Sequence, residues 1–209
     1  MSRPLFVIGP QRAGTTITAR LLTLSPRIGP DHLGYCPYDR WDIAALAEIG
    51  GQIAEQPLMA GFESMLRSRT APDDWTLAKL ALPASVEGLG WVRLVDRFSD
   101  ACFVLVHRDA HDTYDSWSKL AYLAGGGPLW PKSVHGAFLE QVGETQRDVA
   151  AALPGRCVFV SFESLVTDAD SVFGPVWQML DVPPVAGLGA YMKPPVHGRA
   201  LERHAGSIG

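Results

Sequence analysis

The sequence predicts an α/β domain in which a mainly parallel central sheet is flanked by helices, making three layers. Short, almost wholly apolar runs at Leu5–Ile8, Ala101–Val106 and Cys157–Phe162 suit strands covered on both faces. Segments with helical spacing of apolar residues follow each run. Strands that alternate with helices build parallel sheets, because a parallel pair needs a long crossover rather than a hairpin. The length of 209 residues fits one domain over residues 1–209, and 47% hydrophobic residues are enough to fill its core.

Taken in order, Leu5-Phe6-Val7-Ile8 runs into Gly9-Pro10 and predicts the first strand. Ile17, Leu21 and Leu24 then share a helical face, and Ser25-Pro26 ends that helix because proline disfavours the α conformation in the residue before it. Residues 27–43 are rich in Gly, Pro, Asp and Tyr and read as loop, and residues 43–69 read as mostly helical. The segment WTLAKLALP holds a short strand before Pro83. Trp91, Leu94, Val95 and Phe98 form a helical stripe. Beyond the strand at Ala101–Val106, a helix covers 111–123, and the breaker cluster Ala124–Ser133 follows it. Phe138, Val142, Thr145 and Val149 repeat at helical spacing. After the strand at Cys157–Phe162, Phe173, Val176, Trp177 and Leu180 predict a last helix, with Pro175 near its start, where a missing N–H is tolerated.

A net charge of −4 and a pI near 5.8 leave no general basic footprint, so no nucleic-acid partner is expected. An anionic ligand must then be met by a few local cations. Cys36, Cys102 and Cys157 form neither a metal-ligand spacing nor an even disulfide set, so no metal is expected. The first apolar run, from Leu5, is far too short to span a membrane and resembles no signal peptide. A cytoplasmic protein without a membrane span is the expectation.

The stretch FVIGPQRAGTT, Phe6 to Thr16, nearly spells a phosphate-binding P-loop between a buried strand and a helix. Gly9 and Gly14 allow close backbone approach, and the helix N-terminus favours an anion. Thr15 and Thr16 add hydroxyls. Thr15, however, stands where an NTPase has the lysine that reaches its β- and γ-phosphates, and Arg12 lies inside the loop instead. This P-loop-like turn therefore suits a single phosphate beside a reacting group better than a triphosphate with magnesium. A tight turn with no ligand is the plainer alternative. The second signal is VLVHRDAHDTYDSW, where Arg108 ends a strand and Ser116 lies two turns into the next helix. In a doubly wound sheet both would meet the first loop at the carboxyl ends of the strands. A surface Arg108 paired with Asp109 or Asp112 is the competing reading.

These residues resemble those of sulfotransferases that use 3′-phosphoadenosine-5′-phosphosulfate (PAPS). PQRAGTT looks like their 5′-phosphosulfate loop, with Ala13 in place of a serine and so one hydroxyl fewer. HRDAHDTYDS looks like their 3′-phosphate motif; Arg108 and Ser116 match, while Ala110 and His111 depart from the usual Pro and Arg. FVSFESL is similar to the strand and Tyr-Glu segment of that family, with Phe162 for Tyr. AKLALP, carrying Lys79, and YMKPPV, carrying Lys193, resemble segments of tyrosylprotein-type members. The resemblance runs from residue 5 nearly to the end.

It implies PAPS as co-substrate, without a metal, and transfer of its sulfuryl group to an acceptor hydroxyl with release of adenosine 3′,5′-bisphosphate. Gly9, Gln11, Arg12, Ala13, Gly14, Thr15 and Thr16 would hold the 5′ end, Arg108 and Ser116 the 3′-phosphate, with Phe162 and Lys193 alongside. Arg12 and Lys79 would stabilise the charge that develops on the leaving group. His32 is the first candidate base for the acceptor proton, because an imidazole titrates near neutrality, and Asp31 is the second. A polar loop turn is the alternative for that pair. Glu163 reads as a brace for its local turn. The acceptor is a small-molecule or peptide hydroxyl, and the chain is short for the family, so completion of the site in a homo-oligomer stays open. A small P-loop kinase using ATP and a catalytically inactive nucleotide-binding module are the competing functions.

Overall fold

The structure is a computed structural model, and it describes residues 2–29, 75–82, 95–96, 98–123 and 131–192. Its centre is strand β1 (Arg3–Pro10). The alternation along β1 serves two cores at once: Leu5 and Val7 enter one, Phe6 and Ile8 the other. That double burial is why the run carries no polar residue. Among the described residues, strands β2 (Ile28–Gly29), β3 (Trp75–Leu82), β4 (Cys102–His107) and β5 (Cys157–Ser161) join β1 in a five-stranded parallel sheet in the order β2-β3-β1-β4-β5. The chain thus lays β2 and β3 on one side of β1, then crosses to build β4 and β5 on the other. The carboxyl ends of β1 and β4 flank this change of direction, where open α/β sheets form their crevice.

Helix α1 (Thr15–Leu22) packs on one face with α4 (Phe162–Thr167), α5 (Ala169–Leu180) and a 3₁₀ turn at Leu188–Tyr191. Leu21, Leu22, Phe173, Val176 and Trp177 there meet Val7, Val104 and Val106 of the sheet. Helix α3 (Lys132–Ala152) covers the other face through Phe138, Leu139, Val142 and Val149, and α2 (Ala110–Leu123) packs against it. Each such apolar side chain contributes about 1.5–3 kcal/mol when fully buried, so these two layers dominate the stability. Among the described residues no helix is long and apolar enough to cross a membrane.

Four expectations are corrected. Phe162 does not end β5; it opens α4, because Ser161 caps that helix by accepting from Ser164 N. Pro175 lies well inside α5, not near its start. The helix begins at Ala169 behind its Asp168 cap, and Pro175 and Ser171 both lie on its exposed face, where water can meet the carbonyl that loses its partner. The breaker cluster stops at Pro131, which caps α3 so that the helix starts at Lys132. Finally, the buried face of α3 includes Gln146 rather than Thr145, whose hydroxyl donates back to Gln141 O. Most of the stripe at 91–98, and the helical reading of 43–69, lie outside the described residues.

Candidate active site

The first loop joins β1 to α1. Its shape is set by backbone: Ala13 N donates to Pro10 O at 3.1 Å, and Arg12 (φ 70°) and Gly14 (φ 101°) are both left-handed. Gly14 needs to be glycine twice over, since a Cβ there would also fall 2.4 Å from Phe162 Cδ2. Arg12 bears the strain of positive φ, about 1–2 kcal/mol for a residue with a side chain, and such outliers collect at functional sites. The α1 ladder begins with Thr18 N donating to Gly14 O, and no side chain caps Gly14. The N–H groups of Thr15, Thr16 and Ile17 are therefore left to the loop side by helix geometry.

The side chains divide between core and crevice. Ala13 is fully buried in the core, so it offers a ligand only backbone, and a serine hydroxyl at this position would face apolar neighbours. Thr15 is buried against Gly9, whereas Gln11, Arg12 and Thr16 are exposed. Lys79 enters from β3, where it pairs with Val7 of β1. It is only 2% exposed, and its Nζ donates to Thr16 Oγ1 at 2.9 Å. The loop that lacks a lysine in its own sequence thus receives one from the neighbouring strand.

The second loop joins β4 to α2 and is shaped by side chains. Asp109 caps α2, its Oδ1 accepting from Asp112 N at 3.0 Å and its carbonyl from Thr113 N and Oγ1. Glu163 braces it from α4: Oε1 accepts from Asp109 N at 3.0 Å and Oε2 from Ser161 Oγ at 2.7 Å. Its bond to Ser161 is the local bracing expected for Glu163, whereas its bond to Asp109 reaches across to a segment the sequence did not connect with it. The Asp109 carboxylate turns to the helix start, and the Arg108 guanidinium donates from Nη1 to Arg12 O of the first loop at 3.1 Å. The same guanidinium lies 4.6 Å from the centre of the Phe162 ring, in cation–π range. Phe162 therefore fills the space between Gly14 and Arg108. Arg12 closes the arrangement by donating from Nε to Ser116 Oγ at 3.2 Å.

Arg12, Thr16, Lys79, Arg108, Ser116 and Phe162 are thus linked by direct contacts near the carboxyl ends of β1, β3 and β4. Asp31, His32 and Lys193 lie outside the described residues. His107 is half-buried beside the crevice, stacked on Phe159, and His135 is buried between Tyr114 and Trp117; burial lowers the pKa of both below the ordinary imidazole value. Among the described residues no group of three or more His, Cys, Asp or Glu could hold a metal.

No protein-family profile matches the chain, and no curated protein sequence matches it. Solved structures do. The sulfotransferase from Alicyclobacillus acidocaldarius is similar at 14% identity and a TM-score of 0.56, over 93% of this chain and 88% of that one. The sulfotransferase domain of the Synechococcus PCC 7002 olefin synthase is similar at 16% identity and a TM-score of 0.55, over 90% and 76%. A retinol dehydratase solved with androsterone and the inactive cofactor PAP is similar at 14% identity and a TM-score of 0.51, over 91% and 64%. These likenesses show that the parallel sheet and its flanking helices have the sulfotransferase fold.

Proposed function

We propose that residues 1–209 act as one PAPS-dependent sulfotransferase domain, transferring the sulfuryl group to a small-molecule or peptide hydroxyl. The observation that carries this reading is the meeting of Arg12 with Ser116 and Arg108. Two segments about a hundred residues apart converge on one crevice, as recognition of an adenosine phosphorylated at both ends requires.

The residues present fit that substrate. The glycine cradle and the free N–H groups of α1 suit the 5′-phosphate, and the Arg108 fork with the Ser116 hydroxyl suits the 3′-phosphate. In the reaction the acceptor oxygen forms a bond to sulfur while the bond from sulfur to the bridging oxygen breaks. The acceptor proton passes to a base, for which His32 and Asp31 are the candidates, and adenosine 3′,5′-bisphosphate leaves. Arg12 is exposed and among the described residues its side chain is tethered by one hydrogen bond, to Ser116, so it can turn to the leaving group and stabilise its charge. Lys79 supplies a second cation beside Thr16. In a P-loop kinase the hydroxyl at that position binds magnesium. An ammonium group held there disfavours a second cation, which argues against the kinase reading.

Thermal shift with adenosine 3′,5′-bisphosphate, ADP and ATP–magnesium tests the proposal. A selective rise with the first supports it, and preference for ATP–magnesium refutes it. Bisphosphate binding without turnover of PAPS, over a panel of phenols, alcohols, sugars and tyrosine peptides, marks an inactive binding module instead.

A further inference from the structure

We propose that Gln146, on α3, is a positioning residue that sets the spacing between the two phosphate-binding loops. The inference rests on the sulfotransferase reading above. Its starting point is where the ladders of the sheet end. Strand β1 stays paired with β3 as far as Pro10, and β4 stays paired with β5 as far as His107. Between β1 and β4 the pairing stops earlier, at Ile8 and Leu105. The sheet therefore forks at this point, and each arm of the fork leads directly into one loop. Gly9 begins the first, and Arg108 stands two residues beyond Val106.

Gln146 sits in that fork. It is fully buried, and its Nε2 donates to Ile8 O at 3.2 Å and to Val106 O at 3.3 Å, one carbonyl on each arm. A side-chain amide carries two N–H donors on one nitrogen, so it can tie two acceptors at a fixed separation. Gly9 sets how close the arms come, because a Cβ there would lie 2.4 Å from the same Val106 O. Gln146 interrupts an otherwise apolar face of Leu139, Val142 and Val149, and its Oε1 is buried without a hydrogen-bond partner among the described residues. An apolar side chain would continue that face without leaving an acceptor unsatisfied. The two donated bonds are what distinguish glutamine here. A ligand held at both ends reads the separation of the loops, whereas a ligand held at one end does not.

The test compares adenosine 3′,5′-bisphosphate with adenosine 5′-monophosphate by calorimetry on the full chain, wild type and Gln146→Met, with thermal unfolding to verify folding. Wild type prefers the bisphosphate. Gln146→Met, which keeps the length and removes the donors, loses about tenfold or more of that preference, while monophosphate affinity stays within about twofold of wild type. Gln146→Asn keeps the amide but is too short to span both carbonyls; it gives the same reading if the methionine variant does not fold. A folded variant that keeps the wild-type preference, or weakens both ligands equally, overturns the inference and leaves the sulfotransferase reading standing. A wild-type chain with no preference overturns both.

Discussion

The β1–α1 loop holds its shape through backbone conformation, whereas the β4–α2 loop holds its shape through side-chain hydrogen bonds. The first depends on two left-handed residues, Arg12 and Gly14, and on a buried Ala13 that anchors it to the core. The second depends on the Asp109 cap and on Glu163 reaching over from another helix. The difference teaches where each is vulnerable. Added atoms damage the first loop; lost hydrogen bonds damage the second. In the proposed function it also separates their chemistry, since a backbone cradle would bind any phosphate, while Arg108 and Ser116 would recognise one at the 3′ position.

The largest expected effect lies where the loops touch. Arg12→Ala lowers turnover with PAPS about a hundredfold, the cost of removing one preorganised charge-stabilising donor, with a smaller change in affinity for the bisphosphate; equal losses in both would assign Arg12 to binding alone. Next, Arg108→Ala weakens adenosine 3′,5′-bisphosphate about tenfold or more, as loss of a charge-assisted contact does, and leaves adenosine 5′-monophosphate nearly unchanged in calorimetry. Equal weakening of both ligands would break the division between the loops.

Stability sharpens the same contrast. Gly14→Ala costs about 1–3 kcal/mol by denaturant unfolding, because alanine would be strained at φ 101° and would press on the Phe162 ring. Glu163→Gln costs less, about 1 kcal/mol or under, since the amide oxygen can still accept from Asp109 N and its NH2 can donate to Ser161 Oγ, leaving only the lost charge assistance. A reversed order would show the second loop to be the more constrained.

The smallest effect is pH-dependent. Burial holds the pKa of His135, and of His107, below the ordinary 6.5 in the folded chain. Below about that pH the unfolded chain binds more protons than the folded one, so stability is complete above it and falls as pH falls. Thermal unfolding from pH 8 to pH 5 should show this decline, and His135→Phe should make it shallower. An unchanged slope in that variant would assign the acid sensitivity elsewhere.

Particular residues show how much was legible. The unbroken apolar run Leu5-Phe6-Val7-Ile8 announced a strand buried on both faces, because a strand with one face in water would alternate with polar residues. Gly9, Gly14 and Arg12 announced the first loop, since a turn at a helix start is local geometry. Arg108 could be placed at a strand end, but its bond to Arg12 O could not be foreseen, because it depends on how the β1–α1 and β4–α2 loops meet. Lys79 was singled out by resemblance as a candidate cation, yet its bond to Thr16 depends on the register of β3 against β1. Gln146 left only a faint trace, a polar residue at helical spacing between Val142 and Val149, which pattern alone replaced with Thr145.

The sequence by itself determined the elements and the chemistry of each loop, because burial period, glycine conformations and charge are properties of neighbours along the chain. The tertiary structure decided which of those loops face each other, which lysine serves the first, and how far apart the arms of β1 and β4 stand. Those are distances between segments remote in the chain, and only packed layers and strand register fix them.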